Sequence, residues 1–237
     1  MDSFKIIIER AEKRKGGKKA LLALLPQSIN AEELRAKPDS FFLEEMTRSI
    51  FQSGFVWRVI NNKWPTFRQA FFDFDIGKLM RLSSDDWDNY MQDTRIVRHR
   101  QKIQAVRHNL WFVNETAGFN GDFGQFLLDW PKSDLVGLFR FLKSKGSRLG
   151  GNTGQYFLQH VGVDSFALTG DVVLCLKLSG LDINDRPSSQ KDLKLIQQAF
   201  NGWHEETGFD YYRLSMIMAY SVGENKIHAD ESFKPDH

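Results

Sequence analysis

The chain has 237 residues, with 32 Lys and Arg against 30 Asp and Glu, a formal charge of +2, and 41% hydrophobic residues, which excludes a disordered or fibrous protein. Its single cysteine, Cys175, excludes an internal disulfide, a Cys-rich zinc site and an iron–sulfur cluster held by four thiolates. With no run of about 18 uncharged apolar residues, neither a membrane span nor a secretory signal is expected, and a reducing, cytosolic compartment fits the composition.

Apolar positions recur at three- and four-residue spacing along most of the chain, which predicts an all-α protein. Near the start, Arg10, Lys13, Arg14, Lys15, Lys18 and Lys19 crowd together. They suit either phosphate contacts or a solvated face. Phe42, Leu43, Met46, Ile50 and Val59 predict a helix over 41–62, broken at Trp64 and Pro65, with Thr66 capping the next helix. Ser83, Ser84 and Asp85 open a helix bearing Trp87, Tyr90 and Met91, and Ile103, Val106 and Leu110 mark another. The run NETAGFNGDFG over 114–124 reads as a loop joining two lobes, approximately 41–115 and 125–222, with a polar tail over 223–237. In the second lobe, Ser133 and Asp134 cap a helix that ends near Lys145. Helices follow from Thr153 to Gly162, from Gly170 through Leu176, near 190–200 and over 211–222.

Between the first two of these helices lies RLGGNTG at 148–154. A short glycine hairpin exposes successive backbone N–H groups that grip a phosphate, and Gly150, Gly151 and Gly154 carry no side chain to hold a nucleic-acid backbone away. Thr153 would cap the following helix. An ordinary helix-to-helix turn fits the same spacing. Further on, Thr169-Gly170-Asp171 precedes the apolar Val172, Val173 and Leu174, so Asp171 reads as a helix N-cap, or as a carboxylate kept ionised at a helix N-terminus. Among basic residues, Arg98 and Arg100 contact phosphate or pair with acids such as Asp88 and Asp93.

The strings GNTGQYF at 151–157 and TGD at 169–171 resemble the helix-hairpin-helix DNA glycosylase superfamily. IFQSGFVW at 50–57 and RIVRHRQKIQAV at 95–106 are similar to the 3-methyladenine DNA glycosylase I family. The resemblance implies an all-α fold of two lobes with a DNA-binding cleft between them. It implies a hairpin made of Arg148, Gly150, Gly151, Asn152, Thr153 and Gly154 that grips the DNA backbone, and Asp171 beside the flipped nucleotide's sugar. Lyase members carry a lysine where this chain has Asn152, which implies a monofunctional enzyme. The family's zinc site pairs an early Cys and His with a late His-x-x-x-Cys. Here Asp171 and Cys175 hold the late spacing and the early pair is missing, so zinc is not expected. The family's base-binding glutamate falls on Ser49.

Flipped bases are read by stacking and edge hydrogen bonds, so Trp57, Phe42, Phe55 and Trp64 are expected at the pocket, with Gln52 and Ser49 supplying polar contacts. The leading expectation is a glycosylase hydrolysing the N-glycosidic bond of alkylated purines, of the 3-methyladenine or 7-methylguanine type, in base-excision repair. It would act as a monomer on double-stranded DNA containing damaged bases, in the cytoplasm at the nucleoid or in a nucleus. No cofactor is expected beyond a monovalent cation in the hairpin. A noncatalytic helix-hairpin-helix DNA-binding protein and a helical interaction module are the alternatives.

Overall fold

The computed structural model describes residues 2–26 and 31–224, and among these it contains helices and no strand. The all-α expectation holds. In chain order the helices are α1 (Phe4–Lys15), α2 (Lys18–Ala23), α3 (Ala31–Arg35), α4 (Asp39–Gln52), α5 (Trp57–Ala70), α6 (Ile76–Met80) and α7 (Ser84–Asn89). The rest are α8 (Arg100–Asn120), α9 (Phe123–Asp129), α10 (Leu135–Lys145), α11 (Asn152–Val161), α12 (Gly170–Leu178), α13 (Gln190–Thr207) and α14 (Tyr211–Ser221). None of these helices is long and apolar enough to cross a membrane.

The described chain forms two compact units. One, the Asp171 unit, comprises 2–26, 131–137 and 164–224, and the other, the hairpin unit, comprises 31–130 and 138–163. This corrects the expected lobes over 41–115 and 125–222. The hairpin belongs with the earlier helices because α11 packs on α4, whereas α1 joins the late helices by lying along α14.

In the hairpin unit α4 is central, burying Phe42, Leu43, Met46, Ile50 and Phe51 against α8 and α11. The Asp171 unit is built around α14. Phe166 stacks on Phe200 at 4.1 Å, Phe4 meets Trp203 at 5.4 Å, and Glu206 accepts from the backbone N–H of Phe4 at 3.1 Å. The first helix is thereby fastened to α13, and Ser3 caps it.

Three helix boundaries differ from expectation. Instead of one helix over 41–62, α4 stops at Gln52 and α5 begins at Trp57. The cause is the buried Lys102, whose ammonium takes the carbonyls of Phe51 and Ser53 at 3.1 and 2.6 Å and so closes the end of α4. Pro65 sits inside α5 without ending it. It removes one backbone hydrogen bond, while Trp64 and Phe67 on either side are buried and stacked at 5.0 Å. Thr66 is accordingly interior to α5, with its hydroxyl 2.8 Å from the Lys63 carbonyl. The expected loop over 114–124 is helical as far as Asn120, since Val113, Thr116 and Ala117 continue the buried face of α8. Asp122 then caps α9. Of the expected polar tail, all but Gly223 and Glu224 lies outside the described residues.

Candidate functional site

In the hairpin unit, the turn between α10 and α11 is fixed from beneath by α8. Asn109, fully buried, accepts from the Ser147 N–H at 2.7 Å and donates to the Ser147 carbonyl at 3.1 Å. His108 adds a contact to the Lys145 carbonyl at 2.8 Å, and Arg148 donates to Gln101 at 3.0 Å. Buried Leu149 anchors the tip from within. Two glycines are then obligatory. Gly151 has φ 59 and ψ −144, which a side chain would strain, and a Cβ on Gly154 would lie 2.2 Å from the Leu149 carbonyl oxygen.

No side chain caps the N-terminus of α11, where backbone N–H groups of a helix's first turn ordinarily take a cap or an anion. Thr153, expected as the cap, lies one residue inside the helix, and Gly151 holds the cap position. Asn152, Arg148, Arg98 and Arg100 are exposed. Asp93, one of the acids considered as a partner for Arg98 or Arg100, instead pairs with Arg95 at 2.6 Å.

Beside the hairpin, one face of α4 carries Glu45, Arg48, Ser49 and Gln52, at the three- and four-residue spacing that aligns side chains on a helix. Gln52 donates its amide N–H to Asn61 at 2.9 Å, leaving its carbonyl oxygen buried without a hydrogen-bond partner, and the buried Ser49 hydroxyl has none either. Trp57, 36% exposed at the start of α5, stands edge-on to Tyr156 at 5.7 Å and to His160 at 6.2 Å, both on α11. Tyr156 and His160 are themselves stacked. His160 is exposed overall, but partial desolvation beside these neighbours, and then the Arg48 charge, lower its imidazole pKa from the ordinary histidine value. Burial likewise raises the Glu45 carboxyl, opposed by Arg48, whose Nε is 3.2 Å away.

The remaining expected pocket residues divide. Phe55 is exposed, with the Lys102 ammonium 4.3 Å from its ring centre. Phe42 and Trp64 are corrections. Phe42 is fully buried between Phe41 and Phe123, and Trp64 stacks on Phe67 and Phe74 while donating its indole N–H to Glu44 at 2.8 Å. Neither has a free ring face for a base. Tyr156, His160 and Asn109 were missed by the sequence reading. The first two lie four residues apart on the helix just after the hairpin, a spacing that would have paired them, whereas Asn109 gave no signal.

In the Asp171 unit, Thr169 rather than Asp171 caps α12, accepting from the Val172 N–H at 3.3 Å. Asp171 occupies the first helical turn, half-buried, with its carboxylate against Gly223. One turn further along α12, the fully buried Cys175 has its sulfur 3.3 Å from both Arg10 Nη2 and Ser221 Oγ. Arg10, Arg14 and Lys15 of the basic run therefore turn inward onto α14, with the Lys15 ammonium 4.6 Å from the Tyr220 ring.

Residues 35–139 match the family model described as methyladenine glycosylase. That match stops short of the hairpin and of Asp171. Over 58 residues, 24% of this chain, the sequence is 34% identical to DNA-3-methyladenine glycosylase of Haemophilus influenzae and 36% identical to DNA-3-methyladenine glycosylase 1 of Escherichia coli. The aligned part spans 31% of each of those relatives. Across 91% of this chain and 93% of the other, the fold superposes on the crystal structure of Methanocaldococcus jannaschii 8-oxoguanine DNA glycosylase, with a TM-score of 0.56 and 13% identity. The chain thus shares the all-α fold of that 8-oxoguanine DNA glycosylase and, through residues 35–139, resembles the methyladenine glycosylases.

Proposed function

We propose that the protein is a monofunctional DNA glycosylase that hydrolyses the N-glycosidic bond of alkylated purines, of the 3-methyladenine or 7-methylguanine type, in base-excision repair. The observation that carries the reading is the pairing, in one unit, of an uncapped glycine hairpin with the Trp57–Tyr156–His160 wall and two unsatisfied buried groups, Ser49 Oγ and Gln52 Oε1. Buried polar atoms without partners are costly, and a ligand edge that hydrogen-bonds to them removes that cost.

A purine alkylated at N3 or N7 carries positive charge, which suits stacking on electron-rich rings. His160 fits this role because its lowered pKa keeps the imidazole neutral at pH 7, so it does not repel the cation. The base is already a good leaving group, so the C1′–N bond breaks with its electron pair departing on the base, and the enzyme's task is to extrude the nucleotide and stabilise the oxocarbenium-like sugar. Asp171 takes that second role: its carboxylate stabilises the developing charge and orients the water that adds to C1′, the released proton passing to solvent or to the departing base. Asn152 has no amine to attack C1′, so water is the nucleophile and the strand is left intact.

The reading needs no cofactor. The donor set at Cys175 does not fit zinc, since a guanidinium occupies the space beside the sulfur and burial raises the thiol pKa, opposing the thiolate a metal requires.

The test is base release from randomly methylated duplex DNA, with free bases identified by chromatography. Wild type is expected to release 3-methyladenine or 7-methylguanine, and Asp171→Asn to slow release on the order of a hundredfold or more. Duplex binding without release by either protein would replace the enzyme with the noncatalytic DNA-binding reading.

A further inference from the structure

The Asp171 carboxylate lies close against the backbone turn that follows α14, and that turn is held by the first helix. Gly223, just past α14, has φ +67. A Cβ built there would lie 2.4 Å from Asp171 Oδ1 and 3.0 Å from its Cγ. The left-handed backbone favours glycine, and any Cβ there would push the Asp171 carboxylate out of its present position.

Arg14 holds this turn in place. Its guanidinium donates to the Tyr220 carbonyl at 3.1 Å, to the Val222 carbonyl at 3.0 Å and to the carbonyl of Gly223 itself. One planar cation thus satisfies three carbonyls at the negative end of α14. One turn earlier on α1, Arg10 reaches Ser221 and Cys175, each at 3.3 Å, and Cys175 lies one turn beyond Asp171 on α12. The two arginines tie the end of α14 to the helix that carries the carboxylate.

We propose that Gly223 and Arg14 are positioning residues for Asp171: the turn after α14, braced by α1, forms a seat that sets the carboxylate's orientation for the glycosidic step. The proposal rests on the catalytic reading of Asp171. It gives the inward-turned part of the basic run a function other than DNA contact.

The test measures single-turnover base release, duplex affinity and thermal unfolding for wild type, Asp171→Asn, Gly223→Ala, Gly223→Asn and Arg14→Met, and repeats the Gly223 changes in the Asp171→Asn background. Because misplacing a reacting group by about an ångström costs up to about a hundredfold, Gly223→Ala and Arg14→Met should slow release roughly tenfold to a hundredfold with duplex affinity unchanged. Asparagine tolerates positive φ but keeps a Cβ, so Gly223→Asn should be slowed as Gly223→Ala is if the collision matters, and should be near normal if only backbone strain does, which would overturn the seat. With the carboxylate already disabled in Asp171→Asn, a Gly223 change should add no further loss, and an undiminished loss in that background would also overturn the proposal. Should Gly223→Ala fail to fold, Gly223→Asn and Arg14→Met carry the same comparison. Base release by wild type and not by Asp171→Asn, with all positioning variants at the wild-type rate, defeats the seat alone. A wild type that releases no base, or an Asp171→Asn that releases it normally, defeats the catalytic reading and the seat with it.

Discussion

The two units organise their functional groups in opposite ways. In the hairpin unit the glycine turn is seven consecutive residues, 148–154, whose shape follows from its own glycines and one buried asparagine. In the Asp171 unit the group of interest is fixed by residues from the far ends of the chain, Arg14 meeting Gly223 across 209 positions. The more local device fails when its own backbone, or the Asn109 that holds it from 38 positions away, is altered. The long-range one fails when either distant end is altered, even by a substitution that touches no ligand.

The largest contrast that tests this lies within the hairpin unit itself. Trp64→Ala removes a buried, stacked and hydrogen-bonded indole and should lower unfolding stability by about 3–5 kcal/mol. Trp57→Ala removes a ring 36% exposed, so stability should change little while base release falls by the stacking energy, about 1–3 kcal/mol or roughly tenfold to a hundredfold in kcat/KM. Equal stability losses for the two, measured by denaturant unfolding, would return Trp57 to the core.

Next in size is Gly154→Ala. Its Cβ would meet the Leu149 carbonyl oxygen at 2.2 Å, a backbone atom that no rotamer change can move aside. The expected cost is about 1–3 kcal/mol of stability, together with weakened duplex binding. Gly202, on α13 of the other unit, has open space at its Cβ, and Gly202→Ala should raise stability by about 0.5–1 kcal/mol by reducing unfolded-chain entropy. Thermal melts of the pair give opposite signs if the geometry is right.

Lys102→Met leaves the Phe51 and Ser53 carbonyls without their donor and should cost about 1–3 kcal/mol. Burial, and then the Arg148 charge, lower the Lys102 pKa from 10.5 to about 8 in the folded protein. Between these values the unfolded chain holds the proton that the folded chain has released, so the Lys102 contribution to stability rises with pH through that window. The wild type should therefore gain on Lys102→Met as pH rises from about 8 toward 10.5, and a gap that narrows instead would contradict the lowered pKa.

What was legible in the sequence follows the same division. The helical spacing, the hairpin between Lys145 and Asn152, the Ser83 cap and the helix carrying Asp171 all depend on neighbours a few residues apart, and sequence spacing reports such neighbours directly. The grouping of helices into units was not legible, because it depends on α1 lying along α14 and α11 on α4, and apolar periodicity identifies a buried face without identifying what covers it. Two of the four expected pocket aromatics, Phe42 and Trp64, lie in the core for a related reason. Phe42 and Trp64 have the same composition signature as Trp57, and only packing separates a ring with a free face from one enclosed by Phe123 or Phe74. Lys102 stood inside the string most similar to the glycosylase family, yet its role in closing α4 depends on a contact 51 positions away.

The smallest expected effect separates the basic residues by where their charge is spent. Arg98, Arg100 and Arg148 are exposed on the hairpin unit, and each that contacts a phosphate should contribute about 0.9 to the slope of log affinity against log salt. Alanine at any of these should flatten the slope by about that amount, with little change in which base is released. Arg14 looks equally basic in the sequence, but its guanidinium is committed to the carbonyls closing α14, so Arg14→Met should leave the slope unchanged while slowing release. Deleting the first twenty residues would remove α1 from the core of its unit, where Phe4, Ile7 and Ala11 are buried, and would confound charge with unfolding. Point substitution therefore decides the matter: a flattened slope for Arg14→Met would mean that the arginine reaches DNA, and an unchanged slope for Arg98, Arg100 and Arg148 together would move the DNA-binding face away from the hairpin.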